Sequence, residues 1–196
     1  MRIKEGKFSV YEIDPMYLEY LSKYDKNVRK KSNRKYYGIL ITKEKTDYCI
    51  PFTSKVKKRN PKLTINIKNK KEVIAQLTIN NMIPVIDDVV HKVNIKNDKS
   101  KYYLYRELYF LRKYDVIQEI LNKAEKVLNV LNNKNNIDFD FFKVVCCNFK
   151  LLEMKSNEWK NINNKYFIKT IAFFFYKKYN IPRKTIFYTT KEILLI

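Results

Sequence analysis

YYGILITKEKTDYCIPFTSKVKKR, residues 36–59, begins with two apolar runs of strand length and ends in a cluster of cations. Tyr36 to Thr42 and Asp47 to Phe52 predict two strands joined by a short turn, because β-branched and aromatic residues favour strands. The second strand is followed by two hydroxyl residues and then by lysines and an arginine. Backbone N–H groups, hydroxyls and ammonium groups at a strand end can bind phosphate. A solvated basic turn is the open alternative for this segment.

Further elements are predicted on both sides of this hairpin. Four more runs predict strands, namely Phe8 to Ile13, Leu63 to Ile67, Val73 to Ile79 and Met82 to Ile86. Pro84 places the last of them at an edge or an irregularity, because proline lacks the N–H that a ladder needs. Asp14 and Pro15 predict the N-cap and first turn of a helix through Tyr24.

The second half of the chain predicts helices. From Lys99 to Leu131 apolar residues recur at helical spacing, which predicts one long helix or two with a break around Lys113 to Asp115. Residues 139–152 are apolar and of ambiguous type, Lys165 to Tyr179 predicts a helix, and Thr185 to Leu195 predicts a strand. The order of elements predicts one α+β domain over residues 1–196, with a compact antiparallel sheet or barrel and added helices.

The charge balance indicates an anionic partner. The chain has 41 Lys and Arg against 20 Asp and Glu, a formal net charge of +21. A hydrophobic fraction of 45% is too high for a disordered charged tail. Self-repulsion on this scale is relieved by a polyanion, so we expect a nucleic acid as partner. With two glycines in the chain, glycine-rich nucleotide loops are excluded, and we expect no cofactor.

A few residues bear on the cellular compartment of the protein and on its capacity to bind metal. Cys49, Cys146 and Cys147 have no disulfide or zinc spacing, and we expect buried, reduced thiols in a cytoplasmic protein. The N-terminus lacks a long apolar stretch, so we expect neither a signal peptide nor a membrane partner. One histidine, His91, excludes a two-histidine acid–base mechanism. Asp87 and Asp88 are neighbours on an extended segment and point to opposite faces, so we expect no metal site.

Two further basic segments can bind RNA or can simply be solvated. In Lys101 to Arg112, aromatic residues alternate with arginines, a pattern that single-stranded RNA binding requires. We expect Leu104, Leu108 and Leu111 to form the core face of that helix. Two alternatives stay open for the other residues, a place on the core face or contact with RNA: Tyr102, Tyr105, Arg106 and Arg112. In the loop from 29 to 35 the candidate contacts are Arg29, Lys30, Lys31, Arg34 and Lys35, and after the second strand they are Lys58 and Arg59.

An ordered set of short motifs resembles the ToxN/AbiQ family, the endoribonuclease toxins of type III toxin–antitoxin systems. The resemblance spans roughly residues 8–153, and residues 160–196 are not clearly covered. The motifs are Tyr17-Leu18-x-Tyr20-Leu21 with Asp25, Tyr37-Gly38-Ile39, Pro51-Phe52-Thr53-Ser54-Lys55, Asn81-Met82-Ile83-Pro84-Val85, Leu104-Tyr105-x-Glu107-Leu108-x-Phe110-Leu111-Arg112 and Cys147-Asn148-Phe149-x-Leu151-Leu152-Glu153.

The resemblance implies a fold and an activity. The implied fold is Kid/MazF-like, a small twisted sheet or barrel with added helices. The implied activity is metal-independent cleavage of single-stranded RNA that leaves a 2′,3′-cyclic phosphate and a 5′-hydroxyl. A small RNA antitoxin made of tandem repeats neutralises such toxins in closed heteromeric assemblies, and we expect a monomer without RNA. The systems abort phage infection. A non-catalytic basic RNA-binding protein is the alternative.

The resemblance also implies catalytic residues. Tyr17 corresponds to the family's tyrosine in the first helix, and Thr53 and Ser54 correspond to its hydroxyl pair. The family's lysine lies two residues after the serine, where this sequence has Val56. We therefore expect Lys55 or Lys57 to supply that cation, with Lys57 preferred. The basic residue upstream of the glycine strand is Arg34 or Lys35.

Overall fold

The predicted hairpin forms the centre of an antiparallel sheet in the computed structural model, which describes residues 1–29 and 35–161. The strands are β1 (Arg2–Ile3), β2 (Tyr11–Ile13), β3 (Tyr37–Lys43), β4 (Thr46–Thr53), β5 (Thr64–Asn69), β6 (Glu72–Thr78), β7 (Ile83–Val85) and β8 (Val90–Lys92). They follow the order β5-β6-β4-β3-β2-β8, with β1 paired to β3 and β7 paired to β4. In the described part of the chain the end strands β5 and β8 do not pair with each other, so the sheet is open.

The central hairpin is held tightly at its open end. β3 and β4 pair from Gly38 opposite Pro51 to Lys43 opposite Thr46. A Cβ atom at position 38 would lie 2.3 Å from the sulfur of Cys49. Glycine is therefore required where β3 passes β4, and a larger residue would push apart the strands that lead to Thr53.

Strand β4 changes partner along its length. Its first half pairs with β7, from Asp47 opposite Val85 to Cys49 opposite Ile83. Its last two residues pair with β6, Phe52 opposite Leu77 and Thr53 opposite Gln76. The end of β4 is thus joined to the β5–β6 hairpin. β7 pairs with β4 on one side only within the described residues, which confirms the edge position predicted from its proline.

The helices are α1 (Pro15–Ser22), α2 (Lys101–Leu111), α3 (Tyr114–Asn132) and α4 (Phe139–Val145). The predicted cap is confirmed, because the Asp14 carboxylate accepts a 2.7 Å hydrogen bond from the N–H of Met16. The helix ends at Ser22 rather than at Tyr24. α2 and α3 are two separate helices, and the break between them falls at Arg112 and Lys113.

Some predicted bounds need correction. The strand predicted over Phe8 to Ile13 exists only over Tyr11–Ile13. The ambiguous segment 139–152 is helical, in α4 and again from residue 149. The helix and strand predicted over Lys165 to Tyr179 and Thr185 to Leu195 lie outside the described residues.

The core lies between the sheet and the helices. Leu104, Leu108 and Leu111 of α2 are buried, which confirms their predicted place on the core face. The three cysteines are buried and free, as predicted, and burial raises the pKa of the Cys49 thiol far above its ordinary value.

The chain divides into two compact units, Met1–Ser156 and Asn157–Ile196. The first contains the eight strands and α1 to α4, and its residues 149–156 are helical. The described residues of the second, 157–161, are also helical. The α+β prediction is confirmed, whereas one domain over 1–196 and the likeness to Kid/MazF stay predictions.

Candidate functional site

The hydroxyl pair lies where β4 ends. Thr53 is its last residue and is buried, whereas Ser54 is exposed. The N–H of Lys55 donates to the Thr53 hydroxyl oxygen at 3.3 Å, and the N–H of Val56 donates to the Ser54 carbonyl at 3.1 Å. The backbone therefore turns directly after the pair, so that Ser54 is presented to solvent at the edge of the sheet.

The cation loop, residues 55–59, follows this turn. Its residues 55–58 are exposed, and Arg59 is partly buried. A side chain from β6 holds the loop: the Gln76 Oε1 atom accepts the N–H of Lys57 at 3.1 Å and the Nε of Arg59 at 2.8 Å. The Gln76 Nε2 atom donates to the carbonyl of Lys57 at 2.8 Å. Thr53, Ser54 and the predicted lysines are close neighbours in the chain, and these hydrogen bonds order the backbone that carries them.

A cavity of about 1020 Å³, the Ser54 cavity, opens beside this segment. Lys35 lies on its wall and forms ion pairs with Glu12 at 2.9 Å and with Asp98 at 3.5 Å. The Tyr37 hydroxyl donates to Asp98 at 2.7 Å. Lys35, predicted as an RNA contact, therefore lies in the same cavity as Ser54.

Asp98 organises one wall of the Ser54 cavity. Burial by itself would raise the pKa of Asp98, but the N–H of Ser100, the Tyr37 hydroxyl and the Lys35 ammonium together lower it. Burial and Asp98 raise the pKa of Tyr37 far above its ordinary value. Asp98 is thus a carboxylate and Tyr37 a neutral hydrogen-bond donor at neutral pH.

The Arg29 guanidinium is affected by the charge of Arg59, which belongs to the cation loop. Burial and the positive charge of Arg59 lower the pKa of Arg29. Two like charges that lie close together repel each other, and an anion bound between them relieves this repulsion. The predicted RNA contacts of Arg29 and Arg59 stay predictions. Three other predicted contacts, Lys30, Lys31 and Arg34, lie outside the described residues.

Tyr17 lies in the core. Its side chain is fully buried, and its hydroxyl donates to the carbonyl oxygen of Pro84 at 2.8 Å. Burial raises the pKa of Tyr17 far above its ordinary value, so the hydroxyl holds its proton. The predicted catalytic role stays a prediction, and the contacts of Tyr17 are those of a core residue.

A second basic depression, the α2 groove, has a volume of about 880 Å³. Three of the predicted contacts, Tyr105, Arg106 and Arg112, line it, and the exposed ring of Tyr102 stacks under the Arg106 guanidinium at 5.2 Å. Its cations are Lys68, Lys70, Lys92, Lys96, Arg106, Arg112 and Lys113. No carboxylate is among the described residues that line it.

Several site residues are absent from the sequence-based set. Gln76 is a single polar residue in a strand, and no local pattern distinguishes it. The five lysines of the α2 groove come from β5 and its turn, from β8 and the segment after it, and from the end of α2. Each is one of many lysines, so only proximity in the fold makes them a group.

Membrane-spanning helices and metal-binding clusters are both absent from the described residues. No helix among them is long and apolar enough to cross a membrane. Within the same residues, no three His, Cys, Asp or Glu side chains are grouped so that they could hold a metal ion.

Residues 9–157 match a protein family described as toxin ToxN of type III toxin–antitoxin systems. One curated relative is endoribonuclease ToxN of Bacillus thuringiensis subsp. kurstaki. It is 30% identical over 162 residues, which cover 76% of this chain and 83% of that protein.

Solved structures share the fold. One comes from work on bacterial type III systems in which a non-coding RNA pseudoknot selectively inhibits the toxin. It has a TM-score of 0.70 and 28% identity, and covers 79% of this chain and 98% of that chain. Another is AbiQ, a lactococcal anti-phage endoribonuclease of a type III system, with a TM-score of 0.67 and 22% identity. That match covers 80% of this chain and 99% of AbiQ.

Proposed function

The chain belongs to the ToxN family of type III toxin–antitoxin systems, and we propose that it is a metal-independent endoribonuclease toxin that cleaves single-stranded RNA. The observation that carries this proposal is the ordered segment at the end of β4. There two hydroxyl residues and a turn of backbone N–H groups lead into the cation loop, and Ser54 lines the Ser54 cavity, which is large enough for a nucleotide.

The proposed reaction is an internal transesterification. The 2′-hydroxyl of the substrate attacks the adjacent phosphorus and loses its proton, and the bond from phosphorus to the 5′-oxygen of the next nucleotide breaks. The leaving oxygen takes up a proton. The products are a 2′,3′-cyclic phosphate and a 5′-hydroxyl, and no metal enters the sequence of steps.

The protein accelerates this reaction chiefly by charge and position. The hydroxyls of Thr53 and Ser54 and an ammonium group from Lys55 or Lys57 stabilise the extra negative charge of the phosphorane. Donors fixed in advance at the site of developing charge are worth about 10²–10³ in kcat each. Holding the 2′-hydroxyl in line with the phosphorus increases the cleavage rate by a further large factor.

The remaining cations hold RNA. We assign phosphate contacts to Arg29, Lys35, Lys58 and Arg59 around the cleavage segment. The α2 groove supplies a second set, in which Tyr102, Tyr105, Arg106 and Arg112 can stack bases and pair phosphates. We assign Lys30, Lys31 and Arg34 to the same role from the sequence.

The cellular setting is a further part of the proposal, and family membership supports it. We propose that a small, structured, repeat-derived RNA antitoxin neutralises this toxin in a closed heteromeric assembly, that the free toxin is a monomer, and that both act in the cytoplasm during abortive phage infection. A net charge of +21 and a related structure of a toxin inhibited by an RNA pseudoknot support this proposal.

The test is to determine the ends of the cleavage products. Purified protein is incubated with single-stranded RNA with and without EDTA, and the products are analysed by mass spectrometry. We expect the same cleavage rate with and without EDTA, and products that end in a 2′,3′-cyclic phosphate. A 3′-hydroxyl product, or loss of cleavage in EDTA, would overturn the proposed chemistry. RNA binding without cleavage would favour a non-catalytic RNA-binding protein.

A further inference from the structure

Gln76 is a buried polar residue that uses its whole side-chain amide. Its exposed fraction is 2%, and four hydrogen bonds satisfy it. Three of them go to the cation loop, and the fourth runs from Nε2 to the Asn66 side-chain oxygen at 2.9 Å. A glutamine amide offers two N–H donors and an oxygen with two lone pairs, so these four bonds match its full capacity.

The strand register explains why Gln76 meets the loop. Gln76 lies opposite Thr53 of β4 on one side and opposite Asn66 of β5 on the other. Residues directly opposite in antiparallel strands share a face of the sheet. The Gln76 side chain therefore lies next to the point where the chain leaves β4. There its amide group forms the hydrogen bonds to the backbone of Lys57 that a paired strand would otherwise form.

The consequence differs between the two candidate lysines. The backbone of Lys57 is held at both its N–H and its carbonyl by one rigid partner, at 3.1 and 2.8 Å. The N–H of Lys55 makes one longer hydrogen bond, of 3.3 Å, to the hydroxyl of Thr53, which belongs to the same turn. Position 57 is thus fixed relative to Thr53 by a second strand, whereas position 55 is tied only to its own turn.

We propose that Gln76 is a positioning residue that fixes the cation loop, and that Lys57 rather than Lys55 supplies the ammonium group at the cleaved phosphate. This inference rests on the proposed function. An electrostatic donor is effective only when its position is set before the reaction, because reorganisation during the reaction costs part of the stabilisation.

The experiment is a double-mutant cycle on single-turnover RNA cleavage. The variants are Gln76→Met, Lys57→Ala and their combination, and a second cycle replaces Lys57→Ala with Lys55→Ala. Methionine keeps the length of the side chain and removes its hydrogen bonds. A displacement of about 1 Å at a catalytic group costs about a hundredfold in rate, so Gln76→Met should lower the cleavage rate by about that factor.

The coupling between the two changes identifies positioning. If Gln76 acts on cleavage through Lys57, adding Gln76→Met to Lys57→Ala at saturating RNA should change the cleavage rate by no more than about twofold, which is the scatter of such comparisons. Release of Arg59, the other residue that Gln76 holds, should then weaken RNA binding and leave the cleavage step unchanged. In the Lys55→Ala background the full loss should remain. Asn66→Ala is the matched control, because it removes the one bond of Gln76 that does not reach the loop, and it should keep the wild-type rate.

Every outcome decides between the alternatives. Equal losses from Gln76→Met in wild type and in Lys57→Ala would overturn the inference, as would coupling to Lys55 instead. If Gln76→Met does not fold, Gln76→Asn takes its place, since it keeps the amide but draws it back by one methylene. Wild-type protein without cleavage activity would contradict the proposed function itself, whereas active wild type with additive effects would contradict only the role of Gln76.

Discussion

The hydroxyl of Tyr17 donates a 2.8 Å hydrogen bond to the carbonyl oxygen of Pro84, and so joins α1 to the edge strand β7. Because proline has no N–H, β7 is weakly held in the sheet at that residue. The tyrosine in the first helix, which the family resemblance places in catalysis, thus makes the contacts of a structural residue.

Tyr17→Phe should therefore reduce stability more than activity. The change leaves a buried carbonyl oxygen without this donor, which costs roughly 1–3 kcal/mol of unfolding free energy. Urea denaturation should show the loss, and the cleavage rate of the folded variant should stay near wild type. Unchanged stability together with lost cleavage would instead establish the catalytic role implied by the resemblance.

Ser54→Ala should abolish most of the cleavage and little of the binding. Loss of one preorganised donor lowers kcat by about 10²–10³, whereas a neutral hydroxyl adds little to an affinity that phosphate contacts dominate. Single-turnover cleavage and filter binding on the same RNA measure the two effects. Thr46→Ala, at the opposite end of β4, is the control that should retain wild-type behaviour. Weaker binding without slower cleavage would contradict a catalytic Ser54.

Charge removal in the α2 groove should weaken RNA binding and flatten its dependence on salt. Lys70→Ala with Lys96→Ala removes two exposed cations from the groove. Each lost contact to single-stranded RNA should reduce the slope of log K against log salt by about 0.7. The control is Lys126→Ala with Lys134→Ala, which removes the same charge elsewhere on the surface. Equal slopes for both pairs of substitutions would show that RNA affinity depends on the net charge of the protein and not on cations in the α2 groove.

Asp98→Asn should lose stability only where Asp98 is ionised. Its pKa is lowered in the folded protein, so folding favours the carboxylate. That stability is complete above the ordinary aspartate pKa of about 3.9 and is lost as pH falls through the lower, folded value. Urea unfolding at pH 7 should show the variant to be less stable than wild type. The difference should shrink below pH 4, and a difference that does not change with pH would assign it to shape rather than charge.

Much of the local structure could be predicted from the sequence. The hairpin of β3 and β4 rests on two apolar runs with a turn between them, and the start of α1 rests on Asp14 and Pro15. The break between α2 and α3 is predicted within two residues of where it falls. Such features depend on residues close together in the chain, whose propensities and periodicity can be read directly.

The sequence by itself therefore predicted most of the strands and helices of the described residues, an anionic partner, and hydroxyls and cations at the end of one strand. Only the tertiary structure decided that Gln76 holds the cation loop, that Asp98 joins Lys35 and Tyr37, and that lysines of separate segments form the α2 groove. Gln76 lies 17 residues from Arg59 in the chain, and Asp98 lies 63 residues from Lys35. Their contacts depend on strand register and on packing between elements, and a single residue carries no local signal of either.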